Sequence, residues 1–495
     1  MRFEPGRGAR TTILVVVAVV LLRLLVAAVT PLTFDEAYYW TWSKHLAGGY
    51  FDHPPMVAFV IRLGTLLAGD SEFGIRLIAV LLALPMSWAV YRAGVILFAD
   101  ERVAATATIA LNATMMVMVG ALIVTPDAPL MAASAVLLFF LAKISQTGQG
   151  AWWLAAGAAG GLALLSKYTA LFFGPAILLW LAVVPQLRHW LRSPWLYAGA
   201  AVAVALFSPV IVWNAQHQWA SFVKQFGRAQ AGEFTLRYVG ELIPAQVGLA
   251  MPLVFVLGAM GMFALVARRS EDRAAPLLLH AMVWPVLAYF AWHSLHSRVE
   301  ANWLAPLYPP FALAAGVAAH GTSWHRVGQR LVDFCRCWAL PSGVVVLVFL
   351  SVQVNTGVLT GFRRDPSVKK VGVGWRELAS KIESVRAREA AGCVLAADYG
   401  TTAWLAFYLP DGNCVMQTHE RIRWVNAPAP PAAALAGRLL MIRTIEAGDV
   451  ARVSSNAETV AVLERKRGPT VVERFRLDIV AASAIEGSLV HFPAK

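Results

Sequence analysis

Long apolar runs separated by short polar breaks fill most of the first 358 residues of this chain. A helix needs about 20 mostly apolar residues to cross the ~30 Å hydrocarbon layer of a bilayer, where only helices and closed barrels satisfy their backbone polar groups. The pattern therefore predicts a polytopic α-helical membrane protein with about eleven transmembrane helices. The predicted spans are 11–30, 75–98, 104–124, 127–143, 152–166, 169–185, 196–213, 243–267, 276–292, 303–319 and 338–357.

The composition supports this fold class. Of the 495 residues, 58% are hydrophobic and 14% are charged, a balance that excludes an ordinary soluble protein. The first apolar run is too long for a signal peptide and lacks a small-residue cleavage site, so it is predicted to remain as a helix. Basic residues are more frequent in the loops on the side of the N-terminus, which predicts a multi-pass protein of the cell inner membrane with a cytoplasmic N-terminus.

The formal net charge of +13 limits the class of partner. Such a charge suits the anionic surface of a lipid bilayer or a polyanionic substrate. No basic, aromatic-interleaved soluble segment accompanies the charge, so we expect no nucleic-acid partner.

The pattern changes after residue 358, where charged residues become frequent and no run is long enough to span a membrane. We therefore predict a transmembrane domain at 1–358 and a small periplasmic α/β domain at 359–495. Within the second domain, 374–390 predicts an amphipathic helix. Short strands are predicted at 392–399, 438–445, 459–466 and 471–480.

The four cysteines carry limited information. Cys393 and Cys414 lie in the predicted periplasmic domain, where an oxidising compartment permits a disulfide and equally permits two thiols. Cys335 and Cys337 lie at a predicted inner membrane edge with no second pair nearby, so we expect free thiols there.

The first outer loop, residues 31–74, concentrates polar chemistry next to the membrane. Its aromatic and aliphatic residues recur at roughly helical spacing, which predicts two helices lying along the interface. Asp35 and Glu36 come directly after the first span, and Asp52 and His53 precede two prolines. Acids at a helix start can simply cap it and complement its dipole. Two acids followed by an Asp–His pair that prolines hold extended favour a functional site.

A further acid and several basic residues belong to the same predicted outer layer. Asp127, in "VTPDAPL", suits an ordinary turn, although ionisable groups at membrane depth usually have partners and roles. Lys and Arg near span ends can snorkel to lipid phosphates, but here they lie on the face where positive charge is least expected. Acids surrounded by cations indicate a phosphate-bearing substrate. The basic residues are Lys167, His217, Lys224, Arg228, Arg237, His293, His296 and Arg298, and Glu300 lies beside the last of them.

Together, the acidic pair after the first span, the "YFDHPP" loop, "TPDAPL" and "SKYTA" resemble a known family. They are similar to the integral-membrane glycosyltransferases of the GT-C type. The likeness is strongest to the bacterial branch related to protein O-mannosyltransferases, lipid A aminoarabinose transferases and rhizobial lipopolysaccharide galacturonosyltransferases. It covers about residues 11–320. No part of the predicted periplasmic domain adds to it.

This resemblance implies an inverting enzyme that transfers a single sugar from a polyprenyl-phosphate donor to a hydroxyl of an acceptor at the periplasmic face. The acceptor would be lipopolysaccharide, lipid A or another glycolipid or glycan of the cell envelope. Asp35 matches the first-loop catalytic base and Glu36 its neighbour. The remaining roles that the resemblance implies are a divalent-cation site (Mg²⁺, Mn²⁺ or Zn²⁺) at Asp52, His53 and Asp127; binding of the donor phosphate by Lys167, Tyr168, His296 and Arg298; and substrate binding by Tyr38, Tyr39, Tyr50 and Glu300. His53 stands where the aminoarabinose transferases carry a lysine.

Two other classes of function fit part of the pattern. A transporter or flippase for a lipid-linked or anionic substrate would also need many spans and intramembrane ions. The ionisable residues, however, cluster at one face, and no paired broken helices are seen in two halves. A non-catalytic assembly or sensor protein would use the acids only as helix caps.

Overall fold

The computed structural model describes residues 7–227, 232–267, 273–358, 369–445 and 457–481. The chain forms two compact units. The first comprises residues up to Ala27, Asp52–Val60 and Arg76–Val348, and the second comprises Ala28–Phe51, Ile61–Ile75 and the residues from Phe349 onward. Both ends of the predicted periplasmic domain, 359–368 and 482–495, lie outside the described residues.

The first unit is helical. Its α-helices are Ala83–Phe98, Glu101–Ala113, Met115–Met118, Asp127–Thr147, Trp152–Ser166, Phe173–Val183, Pro194–Gln216, Ala220–Gly227, Arg237–Ala250, Pro252–Ala267, Ala274–His293 and Tyr308–His320. Short 3₁₀ helices are Tyr168–Phe172, Pro185–Arg192 and Ala301–Leu307. The helices Arg7–Val29, Met56–Ala68, Glu72–Leu81 and Arg326–Thr356 contain residues of both units.

Six helices within the described ranges are long and apolar enough to cross a membrane, so the chain is a multi-pass membrane protein. They are Gly8–Val29, Glu72–Phe98, Asp127–Thr147, Pro194–Gln216, Ala274–His293 and Arg326–Thr356. Arg237–Ala250 and Pro252–Val266 pass the same test together but are bent by 100° at their junction. Shorter helices occupy the other predicted spans. The predicted span 104–124, for example, is broken where Thr114 ends one helix and caps the next.

Two kinds of contact hold helices of the first unit together. Helices Trp152–Ser166 and Pro194–Gln216 approach so closely that a Cβ on Gly157 would lie 2.0 Å from the carbonyl oxygen of Gly199. Small residues permit such backbone approach between membrane helices. Arg23 is fully buried and donates to Oδ1 and the carbonyl oxygen of Asn112, at 3.2 and 3.0 Å. That pair ties the first helix to helix Glu101–Ala113.

The second unit contains a five-stranded sheet with strand order β2-β1-β3-β5-β4. The strands are β1 (Cys393–Ala396), β2 (Cys414–Gln417), β3 (Arg438–Thr444), β4 (Glu458–Arg467) and β5 (Thr470–Ala481). β1 pairs in parallel with β2 and β3, whereas β5 pairs antiparallel with β3 and β4. All four predicted strands are confirmed. β2, which has four residues, was not predicted.

Helices cover this sheet and extend the second unit. The predicted amphipathic helix is confirmed at Trp375–Arg388, and its buried residues Leu378 and Ile382 lie one turn apart. The other helices of the unit are Phe34–Lys44, Tyr399–Tyr408, Ala432–Leu435 and the 3₁₀ helix Arg421–Trp424. Arg465 in β4 is completely buried and pairs with Glu473 in β5 at 3.1 Å. Burial lowers the pKa of Arg465 and raises that of Glu473.

The first loop and the C-terminal residues share one compact unit. The carbonyl oxygen of Leu32 accepts from the backbone N–H of Gly372 at 2.7 Å and from the indole N–H of Trp404 at 3.1 Å. Thr33 forms an isolated antiparallel bridge with Val371. The start of helix Phe34–Lys44 is therefore bound directly to residues from the far end of the sequence.

Cys393 and Cys414 form a disulfide that links β1 to β2. The two residues face each other in the parallel register, which settles the alternative that the sequence left open. Cys335 and Cys337 are free thiols as expected, one buried and one exposed.

We predict that replacing both Cys393 and Cys414 with alanine destabilises the second unit by about 3 kcal/mol, because the crosslink closes a loop of 21 residues and restricts the unfolded chain. Thermal unfolding of the detergent-solubilised protein measures the effect. Cys335→Ala with Cys337→Ala is the matched control. Four thiols reacting with maleimide in the denatured, unreduced protein would contradict the disulfide.

Candidate functional site

The most deeply buried ion pair of the first unit joins Lys167 to Asp127. The ammonium of Lys167 lies 2.7 Å from Oδ1 of Asp127, and their side chains are only 6% and 1% exposed. Asp127 is the first residue of helix Asp127–Thr147, where the helix dipole favours a negative charge. Lys167 follows helix Trp152–Ser166 in an extended conformation, which ends that helix. The pair therefore joins two helix ends.

Other donors complete the surroundings of the Asp127 carboxylate. Asn302 donates to Oδ2 at 2.6 Å, and the hydroxyl of Thr125 donates to the same oxygen at 3.3 Å. A buried carboxylate is tolerated only when it is paired and hydrogen-bonded, and Asp127 meets both conditions. The prediction that Asp127 suits an ordinary turn is also partly right, since the backbone N–H of Asp127 donates to the hydroxyl of Thr125. A turn alone does not explain a partner 40 residues away.

A cavity of about 360 Å³ lies beside this pair in the first unit. Three of the predicted site residues line it together: His53, Lys167 and Tyr168. The rest of the lining is mainly aromatic and apolar, with some polar groups. These residues are Thr169, Leu171, Phe172, Pro175, Gln225, Phe226, Tyr289, Phe290, His293 and Trp303.

Most of this lining was not predicted as part of a site. Aromatic and aliphatic residues such as Phe172 and Phe290 lie in the predicted spans, where they look like ordinary membrane-helix residues. The Lys167 neighbour Tyr168 bonds through its hydroxyl to Ser221 at 2.8 Å. The signal that could have identified the site is the polar "SK" step interrupting an apolar run.

A second, partly buried lysine–carboxylate pair lies close to the same cavity. Lys224 forms an ion pair with Asp52, and both side chains are about 15% exposed. Gln225, which lines the cavity, donates to the carbonyl oxygen of Asp52 at 2.7 Å. Helix Ala220–Gly227 therefore holds the segment that carries Asp52 and His53.

The residues predicted to bind a divalent cation do not fit a metal site. Within the described ranges, no three His, Cys, Asp or Glu side chains come close enough together to hold a metal ion. Asp52 and Asp127 each bond a lysine ammonium, which takes the place that a cation would occupy beside a carboxylate. A metal requirement stays a prediction.

Asp35 and Glu36 belong to the second unit and have different surroundings. Thr33 and Glu36 form a capping box, in which the Glu36 carboxylate accepts the Thr33 backbone N–H at 2.8 Å and the Glu36 N–H donates to the Thr33 hydroxyl. Glu36 is fully buried, so its geometry is that of a helix cap. Asp35 is half-buried, and its Oδ1 accepts a hydrogen bond from the hydroxyl of Tyr399 at 3.1 Å.

The tyrosines predicted to bind substrate are packed inside the second unit. Tyr38 is 1% exposed, and its ring contacts Trp42, Tyr399 and Trp424. Tyr50 stacks on Trp42 at 4.2 Å, and its hydroxyl bonds backbone groups of its own loop. Burial raises the pKa of Tyr50, so the phenol remains a donor. Tyr39 is also buried. These contacts describe a packed aromatic core, and substrate binding by the three tyrosines finds no support in them.

The late basic loop is exposed. Arg298 is 66% exposed and lies 3.6 Å from Glu241 and 3.7 Å from Glu300. His296 is half-buried, with Nδ1 3.2 Å from the carbonyl oxygen of Trp292. None of these predicted residues is among those that line the cavity; His293, one turn earlier, is. A phosphate or substrate role for His296, Arg298 and Glu300 stays a prediction.

Comparisons with known proteins agree with the resemblance seen in the sequence. Residues 52–213 match the family described as dolichyl-phosphate-mannose-protein mannosyltransferase. The chain is 28% identical over 311 residues to the lipid A galacturonosyltransferase RgtD of Rhizobium johnstonii. That match covers 60% of this chain and 63% of RgtD, so less than two thirds of the relative is represented.

The fold is similar to that of a solved enzyme over nearly its whole length. The crystal structure of ArnT from Cupriavidus metallidurans bound to undecaprenyl phosphate superposes with a TM-score of 0.67 and 19% identity, covering 95% of this chain and 98% of that chain. Its apo structure gives a TM-score of 0.66 at 18% identity, covering 96% and 99%. The chain therefore has the GT-C fold, with a small C-terminal sheet domain as expected.

We predict that Lys167→Met destabilises the first unit by about 3 kcal/mol or more, because it leaves the buried Asp127 carboxylate without its cation. Adding Asp127→Asn should recover part of this loss, since the double variant buries no lone charge. Thermal unfolding in detergent measures both.

Lys143→Met is the matched control, because Lys143 makes an exposed contact with Gln146 at 3.5 Å. We expect no measurable change from it. If the losses of stability from the two single substitutions simply add in the Lys167→Met, Asp127→Asn double variant, the two groups do not interact.

Proposed function

We propose that this protein is a membrane glycosyltransferase of the cell envelope. It transfers a single sugar from a polyprenyl-phosphate-linked donor to a hydroxyl of lipid A or another lipopolysaccharide component. The donor class is suggested by undecaprenyl phosphate bound to ArnT, and the acceptor class by the lipid A activity named for RgtD. The donor class and the acceptor class are both inferred for this chain from similarity.

The observation that carries the proposal is the Lys167–Asp127 pair at the wall of an aromatic-lined cavity. A lysine ammonium has three N–H donors, and Asp127 uses one of them. The other two are available to an anion that enters the cavity. The pair lies inside the segment that matches the mannosyltransferase family. A phosphate held there would be neutralised by a cation that the protein fixes in advance.

The proposed reaction is a displacement at the anomeric carbon of the sugar. The acceptor hydroxyl forms the new bond to that carbon as the bond from the carbon to the phosphate oxygen breaks, so the configuration is inverted. Asp35 takes the hydroxyl proton as general base. The polyprenyl phosphate leaves with the electron pair, and Lys167 stabilises its negative charge. Asp127 acts by holding Lys167 in place.

The site of action follows from the proposed topology. The excess of basic residues in loops on the N-terminal side supports a cytoplasmic N-terminus in the inner membrane. The disulfide between Cys393 and Cys414 supports a periplasmic location for the second unit. The acceptor would then be glycosylated at the periplasmic face.

We predict that cells producing the protein carry a lipid A species heavier by one sugar residue, which disappears when the gene is deleted. Asp35→Asn should reduce that species by about 100-fold or more, because general-base catalysis is lost. Lys167→Met should reduce it by about 100-fold, because the leaving phosphate loses its cation. Mass spectrometry of extracted lipid A gives the measurement, and immunoblotting verifies that each variant is present.

Asp411→Asn and Lys143→Met are matched controls that make the same chemical changes elsewhere, and both should keep normal levels. Full activity of Asp35→Asn would eliminate the proposed base. Unchanged lipid A in the deletion strain, together with uptake of a lipid-linked anion by sealed proteoliposomes, would favour the transporter alternative.

A further inference from the structure

The geometry points to Tyr399 as a positioning residue for the catalytic carboxylate of Asp35. This inference rests on the proposed function, because it gives a purpose to a contact at the proposed base. Tyr399 comes from the C-terminal part of the chain, outside the segment that matches the mannosyltransferase family. The second unit would then take part in catalysis by fixing the base.

The central observation is a hydrogen bond between residues 364 positions apart. The hydroxyl of Tyr399 donates to Oδ1 of Asp35 at 3.1 Å. A phenol is a neutral donor, so this bond orients the carboxylate without cancelling its charge. The second oxygen, Oδ2, is then turned in a fixed direction. A general base needs such a fixed direction toward the proton that it removes.

Tyr399 is itself held rigidly by aromatic packing. Its ring lies edge-on to Phe34 at 5.7 Å and contacts Tyr38 at 5.2 Å. Behind it, Gly400 allows close approach, because a Cβ there would lie 3.1 Å from the Cβ of Phe34. Asp398 caps the helix that begins at Tyr399 by accepting the N–H of Thr401 at 2.8 Å. The phenol therefore has little freedom to leave Asp35.

The Arg423 cation strengthens the Tyr399 hydroxyl as a hydrogen-bond donor. The guanidinium of Arg423 lies over the Tyr399 ring, 4.5 Å from its centre. A cation over an aromatic face is attracted by the ring electrons, and it draws electron density from the phenol. The hydroxyl becomes a stronger donor as a result. The Arg423 guanidinium is held in turn by Glu420 at 2.7 Å, so its position over the ring is fixed.

The Asp35–Tyr399 contact also explains why the first loop is built into the second unit. Helix Phe34–Lys44 packs along helix Tyr399–Tyr408, with Trp40 edge-on to Phe407 at 5.0 Å. A loop that carried only a helix cap would not need this length of packing. A loop that carries a base requires it, since an error of about 1 Å in the position of a catalytic group can cost about 100-fold in rate.

The test is the steady-state kinetics of the full-length protein with undecaprenyl-phosphate galacturonic acid as donor and lipid A from the deletion strain as acceptor. Tyr399→Phe keeps the ring and removes only the hydroxyl. We expect kcat to fall about 10- to 100-fold, the effect of one lost hydrogen bond to a charged group. KM should change by less than about 2-fold for either substrate, because no group that binds substrate is removed.

Tyr408→Phe is the matched control, since it removes a hydroxyl from the other end of the same helix, where that hydroxyl donates to Glu72 at 3.4 Å and accepts the Leu32 backbone N–H at 3.4 Å. It should leave kcat within about 2-fold of the parent value. A normal kcat for Tyr399→Phe, or a loss equal to that of Tyr408→Phe, would overturn the inference. A change in KM with a normal kcat would also overturn the inference.

A thermal-unfolding cycle separates this inference from the proposed function. Tyr399→Phe is compared in the parent and in the Asp35→Ala background, which lacks the acceptor. The melting temperature should fall in the parent only, because coupled residues give non-additive effects. Equal shifts in both backgrounds would contradict the contact. Clear coupling in a protein that transfers no sugar would overturn the proposed function, and the catalytic role of Tyr399 with it.

Discussion

The structure of the first unit around its cavity depends on a buried ion pair, in which one positive and one negative side chain are in contact. Removing Lys167 and Asp127 from water costs several kcal/mol per ion, and their attraction offsets that cost only if other hydrogen bonds complete the site. Asn302 and Thr125 supply those bonds. The carboxylate thus fastens three parts of the chain: the start of helix Asp127–Thr147, the break at Lys167 and the 3₁₀ turn that carries Asn302. The polar end of the cavity exists because these parts meet.

The architecture could be predicted from the sequence because it rests on local patterns. Apolar runs identified the membrane helices, and short runs rich in β-branched and other apolar residues identified β1, β3, β4 and β5. β2 was missed, because polar residues stand on both sides of the short run Cys414–Gln417. The break at Lys167 was predicted, between the spans 152–166 and 169–185. The break at Thr114 was missed, because a single residue ends a helix there within an apolar run and hydropathy alone does not register it.

The candidate site could be predicted in its residue types but not in its pairings. The sequence did not show that Asp52, predicted as part of a metal site with His53, pairs with Lys224, which lies 172 residues away. It also did not show that Tyr38, predicted to bind substrate, packs against Trp424, which lies still further away in sequence. For Glu36 the signal was present and local: Thr33 and Glu36 have the capping-box spacing. Long-range contacts therefore decide whether a carboxylate meets a metal, an ammonium or a phenol.

Three of the four carboxylates that the sequence grouped together are suited to different tasks by their surroundings. Glu36 is enclosed by the helix start that it caps. Asp127 is bonded by an ammonium, an amide and a hydroxyl, and a carboxylate so fully engaged serves to position its cation. Asp35 is half-buried and is oriented by a neutral phenol, which leaves its charge uncancelled by that contact. A base must take up a proton and release it in each turnover. We assign the base role to Asp35 because it is less buried than Glu36 and Asp127 and because the neutral phenol of Tyr399 orients its carboxylate.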